Sequence, residues 1–231
     1  MPMKNFLFAS LIAILAAFNI FGAAFAVSES PAQIAESIRA SLVQAQLDLT
    51  SDPASSAKLV ADAETAYQTG LSAWFAKPHP DAHLRIDSAF VSLSESVANK
   101  DVVSFATARA QIWTGILAGS NAIVENAIRS GDGHTAQTWL TVREFRVATR
   151  FSHPNVGATL AVKRFIDGTV SAEDTLQAIR ADVLDTYQAR MTEALRDLTT
   201  ADENGFAARR AELAALAEGY FFILSPAYLE Q

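Results

Sequence analysis

The spacing of apolar side chains confines this chain to one class of fold. From Ile34 to Leu224 they recur at steps of three and four residues, which sets one stripe of a helix against a core, and no alternating β-branched run bounded by turns occurs. Ile34, Ile38, Leu42, Ala45 and Leu49 form a first stripe; Leu59, Ala63, Ala66, Gly70 and Trp74 form a second. Ile86, Phe90, Leu93 and Val97 form a third, and the next, through Val102, Phe105, Ile112, Trp113, Ile116, Ile123 and Ile128, is the most apolar and so is expected at the centre. Ser51-Asp52-Pro53, Lys77-Pro78-His79-Pro80-Asp81, Asn99 to Asp101 and Ser130-Gly131-Asp132-Gly133 punctuate these helices.

Beyond them the spacing predicts a fifth helix from about Thr135 to Ala148 and a short sixth from Ala158 to Ile166. Ser171-Ala172-Glu173-Asp174 resembles a capping box and opens a long seventh, striped by Leu176, Ile179, Val183, Tyr187, Met191, Leu195 and Leu198. Asn204-Gly205 ends it, and a last helix is expected from Phe206 to Leu224, stopped by Ser225-Pro226. The expected fold is therefore all-α: an up-and-down bundle of seven or eight helices, built as one bundle or as two stacked sub-bundles.

Residues 1–26 carry Lys4, then an apolar run from Phe6 to Phe18, then a small-x-small close at Ala24-Phe25-Ala26, the layout of a secretory signal peptide. Uncleaved, residues 6–26 are long enough to act as a membrane anchor, since about 20 apolar residues span a bilayer. Either way residues 27–231 are expected to form an extracytoplasmic domain, periplasmic or secreted, with no second membrane helix. The formal charge of −7 leaves no basic face for displacing counterions from phosphates, which argues against nucleic acid. The absence of cysteine excludes disulfides, thiolate metal sites and a Cys nucleophile, so stability has to come from packing.

The least ordinary segment runs from Trp139 through Arg143 and Arg146 to Arg150. On a continuous helix these four share a face, and the guanidiniums would grip an anion or a partner's acidic surface, with the indole adding cation–π contact. The alternative is an internal ion-pair network with Asp182 and Asp185 of the long helix. His79, Asp81 and His83 form a second candidate, because two imidazoles four residues apart can reach one metal ion if the turn is helical. Asp81 serves equally well as a cap. No Gly-x-Ser-x-Gly or paired Glu-x-x-His motif occurs, and no catalytic site is legible.

Five segments carry a resemblance: Ala110-Gln-Ile-Trp113; Ala136-Gln-Thr-Trp139-Leu140; Arg143-Glu-Phe-Arg146 with Ala148-Thr-Arg150-Phe151; Asp182-Val-Leu-Asp185-Thr-Tyr187-Gln-Ala-Arg190; and Gly219-Tyr220 through Pro226-Ala-Tyr228. Together, over about Ala66 to Gln231, the chain resembles the extracytoplasmic N-terminal region of some bacterial high-affinity iron permeases. In that family the region precedes membrane helices bearing an Arg-Glu-x-x-Glu iron motif. Here Arg143-Glu144 is followed by Phe145, Arg146 and Val147, so the second glutamate is missing and the resemblance assigns no iron ligand. It implies a non-catalytic accessory domain that docks to a membrane iron permease or presents iron to it. Two other readings stay open: a self-contained carboxylate and histidine metal-binding or ferroxidase-like protein, and a structural helical module that grips a partner. The aromatic-rich last helix, with seven residues after Leu224, reads as a junction to a further segment.

Overall fold

The computed structural model describes residues 29–145 and 157–229; residues 1–28, 146–156 and 230–231 lie outside that set. Among the described residues there are nine helices and no strand: α1 (Pro31–Asp48), α2 (Pro53–Gly70), α3 (Ser72–Phe75), α4 (Pro80–Asn99), α5 (Val102–Arg129), α6 (Gly133–Trp139), α7 (Gly157–Ile166), α8 (Ala172–Glu203) and α9 (Ala207–Leu229). No described helix is long and apolar enough to cross a membrane.

Local chemistry sets most boundaries. Ser30 and Gln33 cap α1 reciprocally, Asp52 accepts from Ser55 N–H ahead of Pro53, and Ser171 accepts from Asp174 N–H to open α8. Between α4 and α5 the chain reverses through Lys100 at φ 55°, a left-handed conformation unusual for a residue with a side chain. Asp101 then accepts from the N–H groups of Val103 and Ser104. At Pro226 the expected stop does not occur, and α9 runs on to Leu229. Proline there leaves only the Phe222 carbonyl without its helical donor, and the Ser225 hydroxyl donates to that carbonyl at 3.0 Å.

α5 is the central element, as its apolar character predicts. Neighbours α4 and α9 run along it, α1, α3, α6 and α8 also touch it, and α1–α2 and α8–α9 close as hairpins. The two stacked groups that the sequence left open thus share α5, and one continuous core joins Ile38, Phe90, Ile116, Trp139, Tyr187 and Tyr220. Close approach depends on missing side chains: a Cβ at Gly119 would come within 2.8 Å of the Phe75 ring, and one at Gly219 would overlap Thr114. Past this core, α8 and the start of α9 are joined by a small cluster of Ala194, Ala201, Leu213 and Ala217.

Two expected stripes shift. On α2 the buried positions are Ser56, Val60, Ala63 and Tyr67, continuing to Leu71 and Phe75, one residue out of phase with the expected set; Trp74 is half exposed. The polar Ser56 and Tyr67 conceal that stripe in the sequence, yet Ser56 Oγ donates to Ala45 O at 2.8 Å and the tyrosine ring packs on Phe90. The fifth predicted helix is cut short at Trp139. Thr141 Oγ1 donates to the Thr138 carbonyl at 2.6 Å, and Val142 N–H turns back to Trp139 O at 2.9 Å, so the helical ladder is not continued.

Candidate functional site

With α6 ending at Trp139, the proposed face of Trp139, Arg143, Arg146 and Arg150 is not a continuous helical row. Arg146 and Arg150 lie outside the described residues. Trp139 is a core residue, 1 % exposed, with its ring 5.6 Å from Phe75 and its carbonyl bonded by Ser120 Oγ at 2.9 Å. Arg143 turns inward, and its Nη1 lies 2.8 Å from Asp182 Oδ2, with side chains only 9 % and 3 % exposed. Asp182 also accepts from Ala158 N–H at 3.1 Å, tying the start of α7 to α8, while Arg143 Nη2 donates to Thr159 Oγ1 at 2.8 Å. Arg143 is therefore a member of the internal network that the sequence offered as its alternative.

His79, Asp81 and His83 sit at the start of α4 in separate environments. His79 Nδ1 accepts from Ala82 N–H at 3.4 Å and its ring packs on Phe222; burial holds its pKa below the ordinary value, against the opposing pull of Asp81. Tyr67, whose pKa is raised by burial and then by Asp87, keeps its proton and bonds His83 Nδ1 at 2.7 Å. His83 Nε2 faces Asp87 Oδ2 at 3.5 Å. Each histidine's Nδ1 is thus engaged in a different bond, and among the described residues no group of three or more His, Asp or Glu is placed to hold a metal ion.

A different constellation gathers where α1, α5, α8 and α9 meet the segment after α6. Glu144, just past the point where the helix was expected to continue, is swung into the interior. Its Oε1 accepts from Trp113 Nε1 at 2.8 Å and from the Tyr220 hydroxyl at 3.4 Å, and its Oε2 lies 3.3 Å from Arg190 Nη2. Arg190 also reaches Glu193 at 2.9 Å. Burial first, and then the negative charge of Glu144, push the Tyr220 phenol up to about 12, so it stays protonated as a donor. Tyr187, stacked at 5.7 Å on Tyr220, is raised likewise by its burial.

These groups form the back of a cleft of about 240 Å³. Arg109 from α5 and Arg209 from α9 hold Glu212 between them, at 2.5 and 2.8 Å. From α1, Arg39 lays its guanidinium 4.5 Å from the centre of the Trp113 ring; its contact with exposed Glu36 is 3.6 Å, longer than a hydrogen bond. The guanidinium–indole pairing looked for at Arg143 and Trp139 is thus found at Arg39 and Trp113. Four guanidiniums and two carboxylates line the cleft, an excess of two positive charges in a chain of net charge −7. Such a lining favours negative charge at its centre.

Sequence reasoning missed Arg39, Arg109, Arg190 and Arg209 because they stand on four different helices, with no spacing to connect one to another. A signal was nevertheless present. Trp113, Glu144, Arg190 and Tyr220 fall in four of the five segments that carry the resemblance, and the fold brings those four segments to one place. No curated protein and no solved structure matches the chain. The family model described as the iron permease FTR1 N-terminal domain matches residues 28–231, every described residue, and the chain belongs to that family.

Proposed function

We propose that this chain is a non-catalytic, extracytoplasmic helical accessory domain of high-affinity iron uptake, acting by docking to a membrane permease or by presenting iron to it as cargo. The observation that carries this reading is the family match, which takes in the helical domain from end to end. The leader-like sequence of residues 1–26 supports export of the domain. That no described helix is long and apolar enough to cross a membrane fits an accessory role beside a membrane partner.

The test is co-expression of the tagged chain with an iron permease from the same cell, followed by detergent extraction, affinity capture and measurement of radio-iron uptake. The expected result is capture of the permease and reduced uptake at limiting iron when the chain is deleted; normal uptake with no capture would reject the proposal. Calorimetric titration with ferrous and ferric ions divides the two modes. Micromolar binding supports presentation, and its absence alongside capture supports docking alone.

A further inference from the structure

We propose that the arginine-lined cleft between α1, α5, α8 and α9 is a binding site for a small organic anion carrying two or three carboxylates. The proposal rests on the cleft alone and stands whether or not the chain docks to a permease.

Charge comes first. Arg39, Arg109, Arg190 and Arg209 face Glu144 and Glu212, so a ligand bearing two negative charges balances the lining. Of the other carboxylates near these arginines, Glu36 is 64 % exposed and screened by water, while Glu193, 35 % exposed, pairs with Arg190 at 2.9 Å and offsets part of its charge, which leaves the lining still cationic. Geometry comes second. Arg109 and Arg209 already hold one carboxylate, Glu212, by its two oxygens, and the planar guanidinium fork suits a further carboxylate in the same manner. The arrangement is graded in depth: Arg109 and Arg190 are 19 % and 25 % exposed at the floor, while Arg39 and Arg209, 45 % and 49 % exposed, stand at the mouth.

Size and lining settle the class. At about 240 Å³ the cleft is smaller than the roughly 300–1,000 Å³ usual for drug-sized ligands, which restricts it to a compact molecule. Ile38, Leu42, Ile112, Ile116 and Leu216 supply apolar wall for a short carbon skeleton, which an inorganic oxyanion would leave uncovered. Trp113 fixes Arg39 from below, and the protonated Tyr220 hydroxyl adds a polar contact at the back.

The test is calorimetric titration of the whole exported domain in low-salt buffer with succinate, citrate and ferric citrate, with acetate and orthophosphate as comparisons. Succinate or citrate should bind more tightly than acetate or orthophosphate. Binding of citrate only when it carries ferric ion makes the complex the ligand, and equal binding of both forms makes it the acid itself; both results support the site. Arg39→Ala combined with Arg209→Ala should weaken binding by about tenfold or more, given what charged hydrogen bonds contribute, with an unchanged helical circular dichroism spectrum. If that pair fails to fold, Arg39→Lys serves in its place, since losing the flat fork while keeping the charge should still weaken binding measurably. Arg196→Ala, outside the cleft, should change nothing. No heat from any carboxylate at millimolar concentration, orthophosphate binding as tightly as citrate, or undiminished binding by the arginine variants would overturn the proposal.

Discussion

Replacing Asp182 by alanine should be among the most damaging single changes in the described domain. Asp182 is 3 % exposed and holds three groups at once: Arg143 Nη1 at 2.8 Å, Ala158 N–H at 3.1 Å and Thr186 Oγ1 at 3.4 Å. Its removal strands a guanidinium that is 9 % exposed and takes a donor's partner from the first turn of α7. Breaking a buried pair from one side costs about 3–5 kcal/mol. In a domain of this length each kcal/mol shifts the melting midpoint by about 2–4 °C, so a fall of roughly 6–20 °C is expected by calorimetry or circular dichroism. Removing both partners is different. Arg143 Nε is buried without an acceptor even with Asp182 in place, so the pair is incompletely satisfied. Arg143→Met with Asp182→Leu should therefore recover most of the loss. A single-variant loss under about 1 kcal/mol, or a double variant no more stable than Asp182→Ala, would refute this account of the pair.

Three further outcomes follow from particular contacts. Gly219→Ala places a methyl against the buried Thr114 side chain and should cost at least about 1–3 kcal/mol in urea unfolding, whereas Gly219→Ala with Thr114→Ala should regain part of it. Lys100→Gly relieves a left-handed residue at a helix end and should raise stability by about 0.5–1 kcal/mol after glycine's own entropic cost; unchanged or lower stability would mean that Lys100 makes compensating contacts. His79 has a lowered pKa in the fold, so below about pH 6.5 the unfolded chain takes up the proton more readily. Its stabilising contribution is complete above that pH and is lost as pH falls through the folded value. Denaturation midpoints between pH 7 and 5 should therefore decline less steeply in His79→Asn, which can still cap α4, and an unaltered slope would count against the assignment.

The cores of α1, α4 and α5 were legible because their stripes are aliphatic and aromatic throughout, and Ile38, Leu42, Ile86, Phe90 and Leu93 are buried as their spacing requires. On α2 the pattern misled, since alanine supplies an apolar position in almost any phase. Tyr67 carries a hydroxyl that obscures its place in the stripe, though one bond to His83 satisfies that group and lets the ring go inside. In the long α8, Leu195 continues the stripe on paper but is half exposed, because by that point the helix has outrun the main core and meets only the alanine-rich start of α9.

The candidate site divides along the same line. By itself the sequence determined the helical class, the caps at Asp52 and Ser171, and the central place of α5, because these depend on side-chain spacing and on hydrogen bonds spanning only a few residues. Only the tertiary structure decided where α6 ends. Local preferences after Trp139 are too weak to fix the path, while Asp182, 39 residues from Arg143, and Trp113, 31 residues from Glu144, draw those two side chains inward. Partners that distant leave no periodicity to read, and they place Arg143 of the candidate row in a buried ion pair beside a cationic cleft.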